Sequence, residues 1–260
     1  METPCPWLDH DIFDLLDTLQ FEKYNRLNTE VSALNIGVVK RRGKPIVETT
    51  SFTMQHANVV RTLVGWVKQE VKIQFAGIYI TRNFPSGLEA RHRDVHNRGK
   101  VQAWRAGGDF SGGELLHWPM DSGGDAHGED LKYLRDEDAC KHDGRTWALV
   151  DLSKAHEVMP YERNGNRYGF IVYIPSSIDR ATPTAIRALH DLGFPYTHKQ
   201  AHLTKWLLPS LAPEDDGTDA RSSSKFHDHS AKRSRHNDDK EALELPFAAT
   251  GGDQNVQFVF

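Results

Sequence analysis

The spacing of apolar residues predicts helices at the start of the chain and strands in its middle. Between Ile12 and Leu19 apolar residues recur at i, i+3, i+4 and i+7, typical of an amphipathic helix that begins near Asp9 or Asp11. The same period predicts a second helix over residues 54–71. Residues 33–50, between these helices, are predicted to form a hairpin.

After residue 72 the pattern changes to short alternating runs, which predict strands. The predicted strands cover residues 73–81, 100–105, 114–118, 147–152 and 168–174. Glycine-rich residues 107–113 predict a turn with positive φ angles, and Asn164-Gly165-Asn166 predicts another. Residues 183–192 are predicted to form a helix with proline at its start.

Charge and composition divide the chain further. Residues 1–212 are predicted to form one domain with its core at 73–175, because the 38% hydrophobic content suffices for a core. Residues 120–143 hold eight acidic and three basic side chains, a balance of −5 (3 minus 8), which predicts a solvated insertion. Residues 213–244 are polar and predicted to be disordered, and residues 245–260 are apolar enough to dock back.

The overall charge and the cysteines limit the class of protein. A net charge of −4 with a pI near 6.4 excludes a strongly basic nucleic-acid binder, so any DNA contact needs a local patch. Two cysteines without a Cys-x-x-Cys motif favour a reducing, intracellular location, nuclear or cytoplasmic. Neither a signal peptide nor a membrane span is predicted.

A candidate metal site follows the first predicted core strand. In an extended segment the side chains of His92 and Asp94 share one face. Two histidines and one carboxylate form a facial triad that leaves neighbouring positions open on Fe(II). His156 is the candidate third ligand, since it lies between a predicted strand and Pro160. The rival third ligands are His117, which is the serious one, and His127 and His142 in the acidic insertion.

His-x-Asp, a distant histidine and Arg167, eleven residues after His156 (167 minus 156), resemble the Fe(II)/2-oxoglutarate dioxygenases. Gly112-Gly-Glu-Leu115 recurs in this broad group. Arg82-Asn83 followed by His92-Arg-Asp-Val-His-Asn97 resembles more specifically the TET/JBP branch, which oxidises the methyl group of 5-methylcytosine or thymine in DNA. The resemblance covers residues 75–174.

This resemblance implies an α+β, mainly β fold: a double-stranded β-helix (jelly roll) with flanking N-terminal helices. It implies Fe(II) held by His92, Asp94 and His156, with 2-oxoglutarate and O2 as cosubstrates. Arg167 would anchor the far carboxylate of 2-oxoglutarate, although relatives often carry Arg-x-Ser where this chain has Gly169. The implied activity is hydroxylation of a C–H bond, with an AlkB-like demethylase, a protein hydroxylase or an inactive binding barrel as alternatives.

The resemblance also implies substrate contacts. Asn97, three residues after Asp94, would face a flipped base, although an asparagine before Arg98-Gly99 is equally typical of a turn. His96 and Asn83 are predicted to orient the ligands. DNA is the predicted partner, through a basic rim formed by Arg91, Arg93, Arg98, Lys100 and Arg105.

Overall fold

The structure, a computed structural model, describes residues 8–26, 29–40, 46–85, 90–97 and 101–197. These ranges form a mixed fold of helices and antiparallel sheets, which confirms the predicted α+β class. The helices are α1 (Asp9–Thr18), α2 (Ser51–Gln55), α3 (Ala57–Glu70) and α4 (Pro183–Asp191). The strands are β1 (Glu22–Arg26), β2 (Thr29–Lys40), β3 (Val47–Thr49), β4 (Gly77–Arg82), β5 (Gln102–Gly112), β6 (Leu115–His117), β7 (Cys140–His142), β8 (Ala148–Val150), β9 (His156–Val158) and β10 (Tyr161–Tyr173).

The larger sheet is centred on β10. Its strand order is β1-β2-β4-β10-β5-β8, with β3 also paired to β2 as the predicted hairpin requires. All these pairings are antiparallel. Tyr168, Phe170 and Val172 alternate along β10 and are buried against the helices.

The smaller sheet carries the candidate metal site. It has the order β7-β6-β9, and an isolated antiparallel bridge places His92 beside His156 at the start of β9. The two residues exchange backbone hydrogen bonds of 3.0 Å (His92 N to His156 O) and 2.9 Å (His156 N to His92 O). Backbone pairing therefore brings together two histidines that lie 64 residues apart (156 minus 92).

The helices cover the larger sheet with their apolar faces. Ile12 and Leu16 of α1 and five residues of α3, from Val60 to Val67, are buried in one core with the sheet. Full burial of each such side chain contributes roughly 1.5–3 kcal/mol. The predicted helix 54–71 is in fact two helices that meet at His56. Thr50 begins the first of them, since its hydroxyl accepts a hydrogen bond from Thr53 N.

Two predicted turns lie inside strands instead. β5 continues through Gly107 to Gly112, and residues 164–166 belong to β10. The predicted positive φ angles do occur, at +98° for Gly108, where a Cβ would approach Asn166 O to 2.0 Å. The register of β10 on β5 shifts at the same place, between Arg163 and Arg167. These turn-forming residues therefore make an irregularity within a strand pair, because pairing with the neighbouring strand continues on both sides.

Most of the acidic residues 120–143 are exposed, and the segment also has regular structure of its own. It contains two 3-10 helices, Glu129–Tyr133 and Asp136–Asp138, as well as β7. Leu131 is buried and packs with Leu116 of β6 and with Trp118, which follows that strand. The predictions for residues 213–244 and 245–260 lie outside the described residues. Among the helices described, none combines the length and apolar character of a membrane span.

Candidate metal centre

The structure brings His92, Asp94 and His156 together. Each offers a ligand atom, and these atoms all lie within 4.8 Å of one another. The imidazole centroids of the two histidines are 4.3 Å apart, and His92 Nε2 is 3.9 Å from Asp94 Oδ1. All three residues are buried, and Asp94 N is fixed by a 2.7 Å hydrogen bond to Leu152 O. The arrangement is the predicted two-histidine, one-carboxylate set.

Both histidines are held with the same nitrogen directed at the backbone. His92 Nδ1 lies 3.0 Å from Ala90 O, and His156 Nδ1 lies 2.9 Å from Lys154 O. A carbonyl only accepts hydrogen bonds, so each Nδ1 carries the proton and each Nε2 keeps a lone pair for a metal. Burial lowers the pKa of His156 to about 4, which keeps its ring neutral at pH 7. The donor set therefore fits a divalent first-row ion such as Fe(II).

Arg167 lines the same cavity as the three ligands. Its side chain is buried, and its guanidinium carbon lies 4.3 Å from the ring centroid of Tyr161 and 4.9 Å from that of Phe110. Nη2 donates to Gly113 O at 3.4 Å, while the buried Nε has no hydrogen-bond partner. Burial lowers the pKa of Arg167, but a guanidinium stays protonated in proteins. Within the described ranges no carboxylate pairs with this cation.

Asn83 positions Arg167 by hydrogen bonds. Its Oδ1 accepts from Arg167 N at 2.9 Å, and its own N donates to Arg167 O at 2.8 Å. Its Nδ2 donates to Asn166 Oδ1 at 2.7 Å, and its φ of 53° is one that asparagine tolerates better than most residues. The predicted role of Asn83 in orienting the metal ligands stays a prediction; its described hydrogen bonds are to Arg167 and Asn166.

Thr81 is a polar residue in the cavity that the sequence did not single out. It lies directly across from Gly169 in the β4–β10 pair. A Cβ built on Gly169 would be 2.7 Å from Thr81 Oγ1 and 3.8 Å from Arg167 Nη1. The hydroxyl that residue 169 lacks is thus present on the neighbouring strand. Strand register could have revealed it, but register was not predictable from the local pattern.

The rest of the cavity wall is largely apolar. The cavity has a volume of about 100 Å³. The triad lies at one part of the wall and Arg167 at another. This arrangement fits the predicted set of Fe(II), 2-oxoglutarate and O2. The larger apolar side chains of the wall come from both sheets and the segments that join them: Tyr79, Phe84, Trp104, Leu115, Leu152 and Ile171.

Asn97 and His96 lie apart from the residues that line this cavity. Asn97 forms an isolated bridge with Pro175, and its Nδ2 is buried without a hydrogen-bond partner. The His96 side chain is exposed, while its carbonyl accepts from Ser176 N at 2.9 Å. Base recognition by Asn97 and ligand orientation by His96 stay predictions.

The rival histidines lie outside the triad. His117 Nε2 lies 3.1 Å from Asp151 O, and its ring faces His142 at a centroid distance of 6.3 Å. Burial lowers the pKa of both His117 and His142. His127 is exposed, and its ring centroid is 6.0 Å from that of His92. Within the described residues, only His92, Asp94 and His156 form a group that could hold a metal.

The prediction of an exposed basic rim is wrong for Arg91, Arg93 and Arg105, the three of its residues that the structure describes. Arg93 is fully buried and bonded to Asp121 and Asp130. Arg105 is buried and paired with Asp9. The guanidinium carbon of Arg91 lies 3.9 Å from the Trp118 ring centroid, and Arg91 pairs with Asp136. Arg98 and Lys100, the other two residues of the predicted rim, lie outside the described residues. Carboxylates distant in sequence neutralise Arg91, Arg93 and Arg105, so these three charges are not available to a phosphate backbone.

No family model and no curated protein matches the sequence. Three solved structures are similar in fold at low TM-scores. NgTET1 in complex with 5mC DNA is 11% identical, with a TM-score of 0.37 over 61% of this chain and 68% of that one. A 2OG-Fe(II) oxygenase family oxidoreductase from Burkholderia pseudomallei is 15% identical, with 0.38 over 63% and 76%. A Pseudomonas putida prolyl-4-hydroxylase is 13% identical, with 0.32 over 64% and 83%.

Proposed function

We propose that this protein is an Fe(II)- and 2-oxoglutarate-dependent oxygenase that hydroxylates a C–H bond, with its two sheets forming a double-stranded β-helix. One observation carries the proposal. Two imidazole Nε2 atoms and one carboxylate converge in a cavity that also contains a buried guanidinium, with which no carboxylate of the described residues pairs. Buried charges in proteins are almost always paired, so a carboxylate ligand is the expected partner of Arg167.

His92, Asp94 and His156 would hold the metal on one side and leave neighbouring positions open. Fe(II) with 2-oxoglutarate and O2 supplies an oxidant strong enough to hydroxylate an unactivated C–H bond. The backbone carbonyls of Ala90 and Lys154 keep both rings in the Nε2-binding tautomer. The protein therefore prepares the site before any ligand enters.

Arg167 would bind the far carboxylate of 2-oxoglutarate with two parallel hydrogen bonds. Tyr161 stacks on the guanidinium, and the hydroxyl of Thr81 lies on the side of Gly169, where it can donate to the same carboxylate. The apolar wall would exclude water and hold the substrate carbon close to the metal.

The substrate we propose is the 5-methyl group of 5-methylcytosine, or of thymine, in DNA. Its support is the resemblance of the segment from His92 to Asn97 to the TET/JBP branch, together with the predicted contact of Asn97 with a flipped base. The protein would then act inside the cell, in the nucleus or cytoplasm.

A second candidate is hydroxylation of a protein, or demethylation by an AlkB-like enzyme. The ion pairs of Arg93 and Arg105 favour a protein substrate, because cations neutralised by carboxylates contribute little to phosphate binding. The two candidates share the metal centre and differ only in substrate.

The experiment separates activity from substrate choice. Purified protein with Fe(II), 2-oxoglutarate and O2 is given 5-methylcytosine duplex DNA or a peptide panel. Succinate and oxidised nucleosides are then measured by mass spectrometry. His156→Ala is expected to abolish both products, while His117→Gln, which changes a nearby histidine outside the triad, retains them. Succinate without an oxidised base would show that the substrate is not 5-methylcytosine DNA. An iron-loaded protein that forms no succinate would refute the proposed oxygenase activity.

A further inference from the structure

Asp121 connects the two chain segments that carry the candidate metal ligands. Its Oδ2 accepts from Arg93 Nε and its Oδ1 from Arg93 Nη2, both at 2.7 Å. Oδ2 also accepts from Ala155 N at 2.8 Å. Arg93 lies between His92 and Asp94, and Ala155 immediately precedes His156. One buried carboxylate therefore contacts a neighbour of every ligand in the triad.

Arg93 is arranged to transmit this contact. Successive side chains of an extended segment point to opposite sides, so Arg93 faces away from the cavity into which His92 and Asp94 point. It is fully buried, and its bidentate pair with Asp121 fixes the plane of the guanidinium. The carbonyl of Asp121 additionally accepts from Lys154 Nζ, which ties the same residue to the second segment again.

We propose that Asp121, in the acidic residues 120–143, is a positioning residue for the metal centre. It fixes the spacing between the segment of His92 and Asp94 and the segment of His156, and so sets the affinity for the metal. This inference rests on the proposed function, because it concerns the same centre. Residues 120–143 then serve to complete the metal site, in addition to packing on the smaller sheet.

Asp130 provides a matched control within the same ion-pair group. It also accepts from Arg93, with Nη2 at 2.5 Å from its Oδ2. Its side chain is 56% exposed, whereas that of Asp121 is 2% exposed. Asp130 makes no described hydrogen bond to residues 154–156. Both substitutions to asparagine remove a carboxylate charge that faces Arg93. Only Asp121→Asn is also expected to weaken the connection between the two segments.

The test measures metal binding rather than turnover. Anaerobic titration of the metal-free protein with Fe(II), and with Co(II) as a visible probe, gives the dissociation constant of each variant. Loss of a group that orients metal ligands typically costs about 10–100-fold in metal affinity, the loss expected for Asp121→Asn. Asp130→Asn is expected to stay within about threefold of the wild type, since exposed ion pairs contribute little. Equal affinities for wild type and Asp121→Asn would overturn the proposal.

A second readout separates positioning from general stability and does not need the metal. Amide hydrogen exchange of the metal-free protein is measured for residues 92–94 and 155–157. Faster exchange there in Asp121→Asn, but not in Asp130→Asn, is expected because the two segments lose their connection. Wild type and Asp121→Asn exchanging at the same rates would contradict the proposal even if no metal bound. Wild type that fails to bind metal would instead count against the proposed function.

The double variant Arg93→Met/Asp121→Leu applies if Asp121→Asn does not fold. Replacing a buried ion pair by apolar residues of similar size often preserves folding. Metal affinity is expected to stay reduced by about 10–100-fold in this variant, because Ala155 N still lacks its acceptor. Recovery of wild-type metal affinity in the double variant would show that the pair acts on stability alone, and would refute the positioning role.

Discussion

Two arginines are buried near the candidate metal centre, and their surroundings differ in the carboxylates that they contain. Arg93 has two carboxylates, whose hydrogen bonds raise its pKa and lower that of Asp121 to about 2. Arg167 has aromatic rings and one carbonyl around it but no carboxylate among the described residues, and burial lowers its pKa. A buried pair completed within the protein serves its architecture, whereas a buried cation left open is arranged for a ligand.

This difference implies that the two arginines respond oppositely to removal. Arg93→Met leaves Asp121 buried without its partner, and we expect the free energy of unfolding of the metal-free protein to fall by about 3–5 kcal/mol. Urea unfolding measures it. Arg135→Met is the control, since Arg135 forms an exposed pair with Asp138, and such pairs contribute little to stability. Equal losses in the two variants would remove the distinction between buried and exposed pairs.

Arg167→Leu is expected to act on the ligand rather than on stability. Loss of charge-assisted hydrogen bonds of about 1.5–3 kcal/mol each should weaken 2-oxoglutarate binding by about 100-fold or more. The unfolding free energy of the ligand-free protein should stay the same or rise, because an uncompensated buried charge is removed. Arg167→Lys should bind more tightly than Arg167→Leu but less tightly than wild type. Marked destabilisation of the ligand-free protein by Arg167→Leu would argue for a structural role.

The pH dependence of stability tests the Arg93 side alone. The folded pKa of Asp121 is depressed, so its contribution is present above the unfolded value of about 4 and is lost as pH falls towards 2. A shift of this size corresponds to about 2 kcal/mol. Unfolding of the metal-free protein between pH 5 and about pH 2 should therefore show a steeper loss in wild type than in Asp121→Asn. Parallel curves for the two proteins would contradict the assignment.

The smallest expected effect concerns the hydroxyl beside Arg167. Thr81→Val should raise the KM for 2-oxoglutarate by about 10-fold, the lower end of what a hydrogen bond to a charged group contributes. Gly169 lies directly opposite, so Thr81→Ala/Gly169→Ser moves the hydroxyl to the other strand and should restore part of the affinity. An unchanged KM in Thr81→Val would show that the hydroxyl does not contact the cosubstrate.

The part of the site that depends on local spacing was predictable from the sequence. His92 and Asp94 share a face because the segment is extended, and His156 was chosen from its position after a strand. Their meeting was not derivable, since it needs the bridge between two segments 64 residues apart (156 minus 92). The carbonyl partners of the two Nδ1 atoms could not be foreseen either, because they depend on the path of the backbone.

Partners distant in sequence account for the error over the basic rim. Arg93 and Asp121 are 28 residues apart, and Arg105 and Asp9 are 96 residues apart. Local charge patterns carry no information about such pairs, so three cations were assigned to DNA although carboxylates neutralise them. The same limit applies to Gly107–Gly112, where local turn propensity was overridden by pairing of β5 with β10.

An anaerobic titration of Fe(II)-loaded protein with 2-oxoglutarate tests the metal centre and the role of Arg167 most directly. Chelation of the iron by the cosubstrate gives a weak visible absorption band. Wild type should develop the band, Arg167→Leu should need about 100-fold more 2-oxoglutarate, and His92→Ala should show none. A band of equal strength and affinity in all three proteins, or none in the iron-loaded wild type, would contradict the account.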